Sequence, residues 1–366
     1  MPSKGNLEAF ESEKIINVFD NNILNIFNDA DISIANLEGC FYDGNFPGIV
    51  KQGPCLKASK KSFEGYKKLN LTAVGMANNH CLDYGQEGLD STLALLEKNK
   101  ISYFGAGANI KCAKKPLIIS KEGYKVGFIG IAEHEYTIAT DTTCGAASFD
   151  ELYTLDDIEE TKTKVDFLVV LYHGSKEYYR YAIPYVQKRC RRFIEKGADL
   201  VLCQHSHCIG CQEMYQSGII IYGQGNFCFD EEVTEYTKDG LLVKVELPQK
   251  RVDIIPIVNE GVRVRFANEH EKKVILQEFN KRSEQIKIPG FVDKEYQKFS
   301  DSMIPLYDRW GSGKLGYALR KFHFNRLYKK LFSSTYDVDM LNVLQCEAHR
   351  DLYIKALGDR LNSQNN

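Results

Sequence analysis

The sequence predicts an α/β fold in which two mixed β-sheets are covered by helices. Over roughly the first 260 residues, short apolar runs typical of strands alternate with helical patterns. The last two strand patterns, at 241–247 and 252–258, are separated by only a few residues, as in a hairpin at a sheet edge. This combination of connections favours two mixed sheets over a single parallel sheet.

The predicted elements follow one another in chain order. A helical pattern at 13–28 leads into a buried strand at 31–36, and a second unit has a helix from residue 59 and a strand at 71–76. A loop at 77–85 and a helix that ends near residue 98 complete that unit. Further strands are predicted at 102–105, 125–132, 166–172, 199–203 and 218–222, with helices at 150–163 and 182–196.

The composition changes near residue 268, where long, charged and aromatic-rich helical patterns begin. Interruptions are predicted at Pro289-Gly290 and at 311–316. We therefore predict one α/β domain over 1–265 and a C-terminal helical appendage over 266–366.

Composition and charge restrict the function. The formal net charge of −2 argues against a general nucleic-acid or anionic-membrane binder, because such proteins gather a basic excess. The 11 cysteines are scattered and odd in number, which suits a reducing compartment and predicts a cytoplasmic protein. No secretory pattern is evident, and the longest apolar runs, such as 167–172, are too short to cross a bilayer.

Polar side chains of one kind recur directly after the predicted strands. Four histidines each follow an apolar run within a few residues: His80, His173, His205 and His207. Loops beyond the strand ends of a layered α/β fold meet at one rim, so these side chains are expected to converge. Mixed oxygen and nitrogen ligands suit Mn²⁺, Fe²⁺ or Zn²⁺. The sequence therefore predicts a divalent-metal site where the following side chains converge: Glu38, Asn79, His80, His173, His205 and His207.

Ordinary structural roles remain open for these residues. A lone histidine is often packed or exposed without a role, and a loop glutamate such as Glu38 often caps a helix or pairs with a cation. A structural zinc site around Cys203, Cys208 and Cys211 is disfavoured because the paired Cys-x-x-Cys spacing is absent. The remaining histidines, His134, His270, His323 and His349, are not predicted to belong to the site.

Five ordered motifs carry a resemblance to a known family. They are NLE (36–38), ANNHCLDYG (77–85), YHGSKEYYR (172–180), QHSHCIG (204–210) and GQGNFCFD (223–230). Over roughly residues 1–260 the sequence resembles the CapA-type poly-γ-glutamate capsule biosynthesis family of the calcineurin-like metallophosphatase superfamily. The resemblance implies a metallophosphoesterase-like fold, a four-layer αββα sandwich of two mixed sheets.

The resemblance also implies a role for each candidate residue. Glu38 takes the place of the carboxylate that bridges two metals. One metal would be bound by Asn79, His173 and His205, and the other by His207. His80 would act as the general acid near the leaving group, with Asp83 orienting its ring.

The sequence departs from the family pattern at its start. Family members begin with a strand that ends in Gly-Asp, whose aspartate binds metal, and residues 2–6 resemble what normally follows that strand. Three explanations of this start remain open: a misassigned start codon, a clipped chain or a truly degenerate protein. We expect the site to bind two divalent ions if such an aspartate is supplied, and one or none otherwise.

The function predicted from these residues is divalent-metal-dependent hydrolysis of phosphoester-like bonds or of bonds in an anionic polymer. The expected partner is an anionic small molecule or polymer. The alternative is a non-catalytic scaffold or binding protein of a polymer-synthesis complex with a degenerate metal site.

Overall fold

The structure is a computed structural model, and it describes residues 5–12, 14–229, 233–331 and 334–364. Residues 2–4, which begin the stretch that resembles the family's N-terminal region, and Asp230, the last residue of the fifth motif, lie outside the described residues. The chain divides into two compact units, Met1–Val292 and Asp293–Asn366.

The described residues form sixteen strands and twelve α-helices. The strands are β1 (Ile34–Asn36), β2 (Cys40–Phe41), β3 (Lys57–Ala58), β4 (Ala73–Gly75), β5 (Ser102–Phe104), β6 (Ala106–Gly107), β7 (Leu117–Lys121), β8 (Tyr124–Ala132), β9 (Gly145–Ala146), β10 (Phe167–His173), β11 (Leu200–Gln204), β12 (Gln212–Tyr215), β13 (Gly218–Ile221), β14 (Asp239–Glu246), β15 (Arg251–Glu260) and β16 (Arg263–Phe266). The helices are α1 (Leu7–Glu11), α2 (Asn21–Asn28), α3 (Phe63–Tyr66), α4 (Gly85–Lys98), α5 (Ile110–Ala113), α6 (Thr154–Lys162), α7 (Pro184–Glu195), α8 (Glu269–Gln285), α9 (Phe291–Lys321), α10 (Asn325–Leu331), α11 (Ser334–Gln345) and α12 (Glu347–Gln364).

The largest sheet has six strands in the order β12-β13-β11-β10-β8-β7. Its centre is parallel, and β12 and β7 pair antiparallel at its two edges. Every residue of β10 is buried, as expected for a central strand covered on both faces. On the outer face, Tyr172 packs edge-on against Phe193 of α7.

Two three-stranded sheets face the inner side of the six-stranded sheet. One is parallel, in the order β1-β4-β5, and the other is antiparallel, in the order β14-β15-β16. Side chains from both, including Ile34 and Val243, pack into one core with Phe128 and Leu171. A second core lies on the far side of β4, where α4 buries Leu89 and Leu96.

The predicted fold class is confirmed: the chain is an α/β protein with layered mixed sheets, covering helices and C-terminal helices. Several local predictions differ. The pattern at 13–28 gives a short 3₁₀ turn followed by α2, because Asp20 Oδ1 accepts a hydrogen bond from Ile23 N and starts the α-helix there. The interruption expected at 311–316 is wrong, because α9 continues through it. Glycines inside a helix cost only about 1 kcal/mol each, so they need not end it.

The first compact unit extends past the predicted boundary at residue 265, because α8 packs on it. Phe279 is buried in a core with Ile221 and Leu241. Arg282 Nε donates to Gly210 O at 2.8 Å, and Gln212 N donates to Ser283 Oγ at 2.9 Å. The second unit consists of helices from α9 onward. None of the helices in the described ranges combines the length and apolar character needed to cross a lipid bilayer.

Candidate metal centre

Four strand ends place the five candidate metal ligands. Glu38 lies just after β1, Asn79 follows β4, and His173 is the last residue of β10. His205 and His207 lie directly after β11, which neighbours β10 in parallel register. Because β1 and β4 belong to one layer and β10 and β11 to the other, the site forms where the two layers end together.

Glu38, His173 and His205 form the centre of the cluster. Each offers one ligand atom, and these atoms all lie within 4.8 Å of one another. Glu38 Oε1 lies 3.7 Å from His173 Nε2, which is 3.0 Å from Asn79 Oδ1. The rings of His173 and His205 are 5.0 Å apart between centroids. Carboxylate, amide and imidazole groups thus converge on one small volume.

Three buried atoms of this cluster lack a hydrogen-bond partner among the described residues: Glu38 Oε1, His173 Nδ1 and His205 Nδ1. Buried polar atoms are nearly always paired, so these three residues are candidates for contact with a ligand. A divalent cation fits them, since oxygen and imidazole nitrogen are its usual ligands.

The charge states of the cluster also suit a cation. Burial alone would raise the pKa of Glu38, but the imidazoles around it, led by His173, lower that pKa to about 2. Burial lowers the pKa of His173 to about 3, against the attraction of Glu38. At neutral pH the site therefore holds an ionised carboxylate and a neutral imidazole, which are the metal-binding forms.

The loop after β11 has an unusual backbone. His205 has a φ of 88° and His207 a φ of 53°. Both values lie in the left-handed backbone region, which residues other than glycine rarely adopt. His207 Nδ1 lies 2.8 Å from Asn226 Oδ1, which fixes the orientation of its ring. The rings of His205 and His207 lie 6.3 Å apart between centroids.

His80 lies beside the cluster and has its own supporting groups. Its Nδ1 is 2.6 Å from Asp83 Oδ2, and its Nε2 is 3.9 Å from Glu38 Oε1. Lys51 is buried here, with Nζ 2.5 Å from Asp83 Oδ1 and 3.0 Å from His80 Nδ1. Nδ1 can donate to the Asp83 carboxylate or accept from the Lys51 ammonium group, depending on the tautomer, and in both cases Nε2 is the ring nitrogen nearer Glu38.

Aromatic side chains line the side of the site near His207. The ring of Phe229 is 5.0 Å from that of His207, and the ring of Tyr178 is 6.3 Å away. Tyr178 in turn contacts Tyr236, over which the Arg180 guanidinium lies at 4.9 Å. This wall combines flat apolar surfaces with one cation.

The structure brings all seven predicted site residues together: Glu38, Asn79, His80, Asp83, His173, His205 and His207. Sequence reasoning missed Lys51 and Asn226. Asn226 lies in the fifth motif, which could have indicated it, whereas Lys51 lies in a loop without any periodic signal. Of the histidines set aside, His134 and His270 are exposed.

Acidification is expected to destabilise the metal-free protein through His173. The pKa of this residue falls from 6.5 to about 3 on folding, so between these values only the unfolded chain binds the proton. In that window His173 alone lowers the free energy of unfolding by about 1.4 kcal/mol for each unit that the pH falls. Urea unfolding with a chelator at pH 6 and pH 5 measures the effect, and His173→Gln should show a shallower pH dependence. Equal slopes for the two proteins would contradict the assignment.

Comparison with known proteins identifies relatives. The family described as bacterial capsule synthesis protein PGA_cap matches residues 2–231. The capsule biosynthesis protein CapA of Bacillus anthracis is 28% identical over 236 residues, which cover 62% of this chain and 57% of that protein. The PGA biosynthesis protein CapA of Bacillus subtilis strain 168 is 29% identical over 267 residues, which cover 70% of each. The chain thus spans a little over half of the first relative.

Among solved structures, a phosphatase from Mycoplasma pneumoniae shares 14% identity with a TM-score of 0.43, covering 73% of this chain and 92% of that chain. A hypothetical protein from Thermus thermophilus shares 14% identity with a TM-score of 0.38, covering 70% of this chain and 90% of that chain.

Proposed function

The chain belongs to the bacterial capsule synthesis protein family, and we propose that it is a divalent-metal-dependent hydrolase of phosphoester-like bonds or of bonds in an anionic polymer. The observation that carries this proposal is the convergence of Glu38, His173 and His205, whose ligand atoms lie within 4.8 Å of one another. Buried atoms of all three lack a protein partner among the described residues. Buried polar atoms in a packed interior are usually paired, so a group of them among ligand-type residues supports a bound cation.

The residues that would hold cations are Glu38, Asn79, His173, His205 and His207. When bound there, Mn²⁺, Fe²⁺ or Zn²⁺ polarises a phosphoryl oxygen and makes hydroxide available near neutral pH. Of the five, Glu38 would supply the anionic ligand, because its carboxylate is kept ionised.

His80 supplies a proton in the proposed reaction. Asp83 stabilises the protonated ring from the Nδ1 side, so Nε2 is the atom that would deliver the proton to a leaving group. Lys51 keeps the Asp83 carboxylate in place through its 2.5 Å ion pair. Proton transfer from a positioned imidazole typically contributes about 10²–10⁴ to the rate.

An anionic substrate is supported by the surroundings of His207. Arg180 is the cation of the aromatic wall, and its side chain is fixed by donation to Glu235 O at 2.5 Å. Tyr178 and Phe229 offer flat surfaces against which a substrate could pack.

Metal loading and turnover test the proposal together. The chelator-treated protein should bind one or two equivalents of Mn²⁺ in a calorimetric titration, and the loaded protein should hydrolyse a generic phosphodiester such as bis(p-nitrophenyl) phosphate. His270→Ala is a matched control, because this imidazole is exposed on α8 outside the cluster. If the protein binds none of Mn²⁺, Fe²⁺ and Zn²⁺ and hydrolyses no phosphodiester, the enzyme proposal fails and the scaffold alternative takes its place.

A further inference from the structure

Positive charge is concentrated in one segment of the second compact unit. We call residues 309–336 the basic segment, because its sequence contains seven lysines and arginines and neither aspartate nor glutamate. The seven are Arg309, Lys314, Arg320, Lys321, Arg326, Lys329 and Lys330. The whole chain has a formal net charge of −2, so the rest of it is acidic. The low overall charge therefore conceals a strongly basic stretch.

The basic segment includes the end of α9, a turn at 322–324 and all of α10. Backbone hydrogen bonds close the turn: Phe322 N donates to Ala318 O at 3.0 Å, and Phe324 N donates to Leu319 O at 2.8 Å. Lys321 just before the turn and Arg326 just after it are both exposed. The turn thus presents two cations with two phenylalanines between them.

Large apolar side chains of the basic segment face solvent. Phe322 is 65% exposed and Phe324 is 59% exposed. Leu327 and Leu331, three and seven residues after Phe324, are also exposed. This spacing places Phe324 and the two leucines along one side of α10. The cationic positions of α10 fall on the opposite side by the same spacing: 326, 329 and 330.

We propose that the basic segment docks on the surface of an anionic lipid bilayer. Charge complementarity argues for this partner, since seven cations without a carboxylate among them attract anionic headgroups. Exposed phenylalanines and leucines opposite cations are the pattern of helices that lie in the interface between headgroups and acyl chains. A soluble anionic partner would match the cations but would leave the phenylalanines in water.

The basic segment lies on the bilayer in this proposal and does not cross it. Within the described ranges, neither α9 nor α10 has the length and apolar character of a spanning helix. The segment also lies outside residues 2–231, which match the capsule synthesis family. The inference therefore concerns a part of the chain separate from the metal centre, and it requires neither metal nor catalysis.

Vesicle binding by the full chain tests the proposal. Vesicles of phosphatidylcholine alone are compared with vesicles that contain one part phosphatidylglycerol to three parts phosphatidylcholine, and bound protein is measured by co-sedimentation. We expect at least about tenfold tighter binding to the anionic vesicles, and this binding should weaken as the salt concentration rises. Equal affinity for the two kinds of vesicle, or binding to neither, overturns the proposal.

Charge reversal locates the contact. The double variant Lys321→Glu, Arg326→Glu reverses the two exposed cations that flank the turn. The matched control Lys272→Glu, Lys273→Glu reverses two exposed lysines of α8 and changes the net charge equally. We expect the first variant to bind anionic vesicles at least about tenfold more weakly than the unmodified protein, and the control to bind as the unmodified protein does. Equal losses in both variants would assign the binding to net charge and overturn the proposal.

Removal of the phenylalanines separates a bilayer from other partners. Phe322→Ala with Phe324→Ala should weaken vesicle binding, whereas Leu341→Ala with Leu344→Ala, which removes two exposed leucines of α11 outside the basic segment, should not. If polyaspartate binds tightly and the phenylalanine variant binds both polyaspartate and vesicles unchanged, the segment is a site for soluble polyanions and the proposal fails. It also fails if light scattering shows a dimer that the phenylalanine variant dissociates while vesicle binding is unchanged.

Discussion

His205→Ala is expected to weaken Mn²⁺ binding by at least about 100-fold. Loss of groups that merely orient ligands typically costs about 10–100-fold in affinity, and His205 is itself one of the three central groups. Its removal leaves Glu38 and His173 without the third donor that lies within 4.8 Å of both. Calorimetric titration of chelator-treated protein measures the change.

The control for this variant is His270→Ala, which removes an exposed imidazole from α8. It should bind Mn²⁺ as the unmodified protein does. Circular dichroism should show the same fold for both variants, since neither removes core volume. A His205→Ala protein that is folded and retains the original affinity would show that the cluster does not bind the cation.

His80→Ala is expected to lower kcat by about 10²–10⁴ while leaving the metal content unchanged. The imidazole is held by Asp83 on its Nδ1 side and reaches the site with Nε2, 3.9 Å from Glu38 Oε1. A general acid matters most for a poor leaving group. The loss should therefore be larger for a diphenyl phosphate than for bis(p-nitrophenyl) phosphate, whose leaving group needs no proton.

Leaving-group dependence separates a proton donor from a residue that only shapes the site. A loss of the same size with both substrates would assign His80 to positioning, and a loss of bound metal would assign it to the ligand set. If the variant hydrolyses both substrates at the original rate, His80 has no role in the reaction.

The candidate site could be predicted from sequence because its residues share one local signal. Glu38, Asn79, His173 and His205 each end or directly follow an apolar strand, and strand ends in this fold class meet at one rim. Lys51 has no such signal. It lies in an irregular loop, and only the folded chain brings its ammonium group to Asp83.

The layers of the fold could be predicted from the sequence, but which strands pair with each other within a layer could not. Apolar periodicity indicates which face of a strand is buried, and it does not indicate which strand lies beside it. The patterns at 31–36 and 241–247 therefore predicted strands without showing that β1 and β14 each border a groove. The role of α8 was missed for a similar reason, since only Phe279 and a few neighbours of this charged helix are buried.

The left-handed backbone at His205 and His207 bears on how such a loop evolves. A residue other than glycine in this conformation typically costs about 1–3 kcal/mol, and asparagine or glycine would relieve it. Stability alone would favour asparagine or glycine at these two positions. Imidazoles at both positions therefore carry a cost in stability that a turn without a role for its side chains would not require.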